Sequence, residues 1–166
     1  MGQTTSHEHL VLRWTELCAD PRWDDFPGKI ELNGLGVIEM SPATNRHGMQ
    51  HMTIGNALTL QLPDGTAFIE GGGFTTDGVR VPDVAWASAS AALMAWHGDV
   101  APFPRAPEIC VEVGSPSNTD AETADETELF LQAGVIELWI ADEAGGWQRF
   151  SDGGARADSP FSVVLV

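Results

Sequence analysis

Apolar residues recur at helical spacing in "SHEHLVLRWTELCAD". Leu10, Trp14, Leu17 and Cys18 share a face, and Ser6 stands where an N-cap belongs. "GKIELNGLGVIEM" reads as two short strands around a glycine-containing turn. "HGMQHMTIGNALTLQL" predicts a second helix, with a loose stripe of Met52, Ala57, Leu58 and Leu62. "TAFIE" and "VRVPDVAWAS" alternate as strands do, with the glycines at 71–73 as a turn between them. "SASAALMAWHG" predicts a short helix, and the three prolines of "DVAPFPRAP" a loop.

"EICVEVGS" is almost continuously apolar, the pattern of a central strand. "DAETADETELFLQ" predicts a helix ending at Gly134, "IELWIAD" a strand, and "GGWQRFS" and "FSVVLV" late strands. No repeat, low-complexity tract or linker interrupts the chain, so residues 1–166 read as one domain. Strands in the first half, then strand–helix–strand, predict an α/β or α+β fold with a mixed sheet flanked by helices.

Composition narrows the class. The chain has 166 residues, 43% hydrophobic, enough to build a core. No apolar run approaches the roughly 20 residues of a membrane span. The first residues show no basic region followed by an apolar core, so no secretory leader is expected. Cys18 and Cys110 do not make a disulfide framework, and a cytoplasmic setting is expected. Twenty-four acids against eight bases leave a net charge of −16. Such a surface repels polyanions and excludes a protein that coats nucleic acid through a basic face. Seven of the bases are arginines, and Lys29 is the single lysine.

Some carboxylates fall where strands should be apolar. Val81, Asp83 and Ala85 share one face of their strand, and Cys110 and Glu112 share one face of theirs. Burying such acids unpaired costs several kcal/mol. Either they cap turns and pair with arginines such as Arg80 or Arg105, or they form a site. On a helical wheel Glu126 joins Leu129, Phe130 and Ala133 on the face that must pack on the sheet. Glu122 lies near the same stripe, Asp125 at its side, and Glu128 points away. The first turn of this helix is otherwise a solvated acidic end favoured by the helix dipole. Three or four converging carboxylates repel one another unless some take up protons or a cation joins them. Oxygen ligands alone point to magnesium, manganese or calcium.

"KIELNGLGVIEMSPATNRHG", "RVPDVAW", "PEICVEVGSPSN" and "LFLQAGVIELWIAD", in this order, resemble the Uma-two family. Its members are restriction-endonuclease-like proteins of the PD-(D/E)XK nuclease superfamily. The resemblance covers roughly residues 8 to 150 and implies a nuclease core. It makes Asp83 and Glu112 the principal ligands of magnesium (or manganese), with Glu31 and the Val113 carbonyl assisting. It also implies a lysine on the following helix, eight residues before the glycine of "AGV"; Glu126 stands there instead. Gly114, where a standard "ExK" has its lysine, cannot replace it, and no motif assigns the role to Lys29. Glutamate at 126 can act as a general base or a metal ligand, not as a cation.

Other signals are weaker. His47 and His51, four residues apart on a helix, suggest a zinc pair, but the rest of a zinc motif is missing; His47 can instead line the site. Ser115 reads as a strand end or a turn cap, and Trp86 and Trp139 as core. Two main readings follow: a magnesium-dependent endonuclease hydrolysing DNA phosphodiesters, with Asp83, Glu112, Glu31 and Glu126 as its site, or a catalytically degenerate nuclease fold kept as a binding or assembly module. Hydrolysis of another phosphorylated small molecule is a third. DNA contacts would rely on Arg46, Arg80 and Arg105, and a homodimer would build a DNA-sized cleft.

Overall fold

The structure, a computed structural model, describes residues 5–96, 102–103, 105–114, 119–142 and 145–164. Ser115 and residues 99–101 and 104 of the proline loop lie outside them. The elements are α1 (His7–Cys18), β1 (Gly28–Leu32), β2 (Ile38–Pro42), α2 (Asn45–Gln61), β3 (Gly65–Phe68), β4 (Gly73–Thr75) and β5 (Gly78–Arg80). They continue with β6 (Val84–Ser88), α3 (Ala89–Trp96), β7 (Ile109–Val113), α4 (Asp120–Gln132), β8 (Glu137–Ala141), β9 (Trp147–Ser151) and β10 (Gly154–Arg156).

The strands form two sheets. The larger has the order β10-β9-β8-β7-β6-β3 and the smaller β2-β1-β5-β4. β7 and β8 pair in parallel, with α4 as the crossover between them, and the other pairings between the named strands are antiparallel. The mixed sheet flanked by helices is therefore present, with a second, antiparallel sheet beside it.

β7 is buried along its whole length, as its apolar run predicts. Ile109, Val111 and Val113 face Ile54 and Leu58 of α2, whereas Cys110 faces Phe130 of α4 with Ala85, Val135 and Leu138. Period-two alternation thus sends Glu112 to the α4 side of the sheet. A third cluster joins Trp14 and Leu17 of α1 to Leu32, Val79 and Val81 of the smaller sheet. Trp86 and Trp139 are buried in the core.

The run "VRVPDVAWAS" is two strands rather than one. β5 ends at Arg80 in the smaller sheet and β6 begins at Val84 in the larger, so Val81, Pro82 and Asp83 bridge the sheets. Pro82 lacks the N–H that a continuing ladder needs. Gly78 begins β5 at φ +94°, where a Cβ would lie 2.1 Å from the Leu32 carbonyl oxygen; only glycine fits so close an approach.

Three further expectations change. The core stripe of α2 uses Ile54 with Leu58, while Met52 is 61% exposed. Of the three glycines at 71–73, Gly73 opens β4 instead of closing a turn. In the described part of "FSVVLV" there is no strand; Val163 is buried, and the last strand is β10, at 154–156. A tail can bury an apolar residue without joining a ladder, and alternation alone does not separate the two cases.

Candidate active site

The site forms where the two sheets meet. Lys29 and Glu31 come from β1, Asp83 from the bridge between β5 and β6, Glu112 from β7 and Glu126 from α4. Together with Val113 they line one pocket of about 530 Å³, which His47 and His51 of α2 also border. A larger groove, about 890 Å³, lies between α4 and β9–β10. Its acids Asp120, Glu128 and Asp152 are exposed, so their charges are already solvated and ask for no partner.

Each acid is held differently. Asp83 Oδ2 accepts the Val113 N–H at 2.8 Å. Glu31 Oε1 accepts the Val81 N–H at 2.7 Å, and its other oxygen meets Arg80 at 3.5 Å. Glu112 is buried, and its Oε1 has no hydrogen-bond partner among the described residues. Glu126 is half-buried, one of the inward positions of α4.

Lys29 is the central finding. Its Nζ lies 3.1 Å from Glu112 Oε2 and 3.3 Å from Asp83 Oδ1. Glu112 is therefore paired with neither Arg80 nor Arg105. Arg80 is engaged by Asp77, Glu39 and Glu31, so its guanidinium is already committed to acids of this protein. Sequence reasoning passed over Lys29 although a signal was present: it lies two residues from Glu31 on one strand, and so on the same face. His51 was also undervalued. Its Nε2 approaches Asp83 Oδ2 at 3.6 Å, too long for a good hydrogen bond but close enough for attraction when protonated. Its ring stacks on that of His47, with centroids 6.2 Å apart.

Burial and neighbouring charge set the protonation of this cluster. Burial alone would pull the Lys29 ammonium down, but Glu112, Asp83, Glu31 and Glu126 more than reverse this and hold it charged. Burial would raise Asp83, yet His51, Lys29 and the Val113 N–H outweigh it and keep the carboxyl well below the usual range. For Glu112 burial dominates. Lys29 opposes it, but Asp83, Glu126 and Glu31 add to it, and the carboxyl is pushed well above its ordinary value. Glu126 is raised by burial and by Glu31 and Asp83, against the pull of Lys29 and Arg80. One ammonium does not offset four acids, and the Glu112 and Glu126 carboxyls are the two pushed upward.

The first turn of α4 departs from the helical-wheel expectation at Glu122. That side chain is exposed and returns to the Thr119 N–H, while Thr119 accepts from the Glu122 N–H, closing a capping box. Thr127, with Phe130, takes the buried face, and its hydroxyl is satisfied by the Thr123 carbonyl at 2.7 Å. Glu128 is exposed and accepts from Gln132, as its outward position predicts. The far end closes on Gly134, at φ +100°, with the Val135 N–H returning to the Phe130 carbonyl. Both caps fix where α4 begins and ends, and hence where Glu126 points.

Among the described residues, no three acidic, histidine or cysteine side chains converge tightly enough to hold a metal ion by themselves. The donor set nevertheless fits a hard cation. Two carboxylates from adjacent elements face one pocket, one buried oxygen lacks a donor, and magnesium ordinarily takes one or two carboxylates with the rest water.

Comparison with known proteins bears on this geometry. A family model, Uma2, described as "Putative restriction endonuclease", matches residues 16–152, more than four fifths of the chain. The chain belongs to the Uma2 family. Membership supports a nuclease-type function. Among solved structures, the chain is similar to a protein from Anabaena variabilis ATCC 29413 described as a "putative nuclease belonging to DUF820". The TM-score is 0.64 with 19% identity, over 82% of this chain and 80% of that one. At that identity the likeness establishes the shared fold. No curated protein gives a significant match. No helix among the described residues is long and apolar enough to cross a membrane.

Proposed function

We propose that this Uma2 protein is a divalent-cation-dependent endonuclease that hydrolyses phosphodiester bonds in DNA. The observation that carries the reading is the convergence of Glu31, Asp83, Glu112 and Glu126, from four separate segments, on one pocket in which a buried oxygen of Glu112 has no partner. Magnesium or manganese, when bound there, would polarise the scissile phosphate and lower the pKa of the attacking water.

The protein's own groups divide the remaining work. Asp83 and Glu112 are the ligands we assign, Asp83 pre-aimed by the Val113 N–H. The Val113 carbonyl is a further candidate ligand. Glu31, tied at both oxygens, serves to position its neighbours more than to bind freely. Glu126 occupies the helix position of the expected lysine, and its raised proton affinity suits it to accept a proton from water. DNA is the partner we infer, and a homodimer would widen the cleft to take a duplex.

Calorimetric titration with magnesium and manganese, run beside a plasmid-cleavage assay on the wild type and Asp83→Ala, tests this. Binding and cleavage that are both lost in Asp83→Ala support it; a wild type that binds neither ion ends it. The observation that Lys29 already bridges the two principal acids favours a second reading, a degenerate nuclease fold kept for binding or assembly. Metal binding without any cleavage would select that reading.

A further inference from the structure

Resting on the nuclease reading above, we propose that Lys29 is a catalytic residue: from strand β1 it supplies the positive charge that the helix position, Glu126, lacks. Three observations point to it. The helix and strand positions where the resemblance implies a lysine hold Glu126 and Gly114. Lys29, the only lysine of the chain, reaches the same place from the other sheet, with Nζ at 3.1 and 3.3 Å from the two acids assigned to the metal. Arg80, another cation of the β5–β6 segment, spends both terminal nitrogens on Asp77, Glu39 and Glu31.

Geometry also leaves Lys29 a donor to spare. An ammonium carries three N–H groups, and two carboxylates are its ion-pair partners among the described residues. Its side chain is 21% exposed and lines the pocket together with Asp83, Glu112 and Glu126. During hydrolysis the water oxygen forms a new bond to phosphorus, and the bond to the leaving sugar oxygen breaks. One water proton passes to Glu126, and the leaving oxygen takes a proton from solvent. Lys29 donates a hydrogen bond to the non-bridging oxygen on which negative charge grows, and it neither gains nor loses a proton. A fixed donor aimed at developing charge in a partly dry pocket is a strong form of stabilisation.

The idea departs from a mere counter-ion in one respect. A counter-ion competes with the metal and contributes nothing once the metal is bound. Manganese binding by calorimetry and DNA cleavage at saturating magnesium are therefore measured together for the wild type, Lys29→Met and Lys29→Arg. We expect Lys29→Met to bind manganese at least as tightly as the wild type while kcat falls about 10²-fold and KM changes little. Wild-type kcat in Lys29→Met overturns the proposal and leaves the nuclease reading intact. A wild type that neither binds metal nor cuts DNA overturns both. Should Lys29→Met fail to fold, Lys29→Arg decides. It keeps the charge but moves it, so a kcat reduced about tenfold with metal binding retained supports the role, and an unchanged kcat overturns it.

Discussion

Two regions of this molecule gather several acids each and are opposite in physics. At the start of α4, Asp120, Glu122 and Asp125 are exposed, and Glu122 is used up in a capping box. Where the sheets meet, Glu31, Asp83, Glu112 and Glu126 are buried or half-buried and share one ammonium. Water screens the first group, and its charges cost little. The second group cannot use water, so each carboxylate is tied to a backbone N–H, paired with a cation, or driven to take up a proton. The number of acids says nothing about which kind a segment holds; burial and partners do.

The contrast can be broken by mutation. Asp83→Ala is expected to abolish divalent-ion binding and to lower cleavage about 10²-fold or more, read by calorimetry and plasmid cleavage. Lys29→Met should destabilise the metal-free protein by roughly 3 kcal/mol in urea unfolding, because buried acids lose their cation. Added magnesium should restore part of that loss.

The pH dependence of the metal-free protein is the third test. The folded state depresses Asp83, so its contribution is present above the unfolded value of about 3.9 and is lost as pH falls. The folded state raises Glu112, so stability is lost as pH climbs from its unfolded value of about 4.3 towards the folded one. Asp83→Asn should therefore flatten the fall in Tm below about pH 3.9, and Glu112→Gln the fall that begins above about pH 4.3.

Smaller effects belong to the exposed region. Thr119→Ala removes the cap and should cost about 1 kcal/mol without changing ion affinity. Asp125→Asn should move stability by less than about 0.5 kcal/mol. A change in metal binding from either would show that the two regions are not separate.

Much of this was legible in advance for reasons of periodicity. β7 could be read because an apolar run fits a central strand, and alternation then places Glu112 opposite Val111 and Val113. The wheel of α4 put Glu126 inward, but it misjudged Glu122, because a local return to the Thr119 N–H competes with the stripe and wins. The passage of the chain from one sheet to the other at Val81–Asp83 was not legible, because the alternation of "VRVPDVAWAS" runs through it unbroken. Lys29 was set aside for a different reason. Its partners Asp83 and Glu112 lie far along the chain, and motif reasoning searches for a cation beside the acids in sequence rather than across a sheet junction.

The Lys29–Glu112 pair closes a separation of 83 residues. Contacts of that range form only after the chain between them has been ordered, since loop closure is costly until packing rewards it. Neither sheet holds the whole reactive constellation, and a nascent chain with only its first sheet has Lys29 and Glu31 but no Glu112. The candidate site is thus a product of maturation: its acids and its ammonium come together only once both sheets have formed.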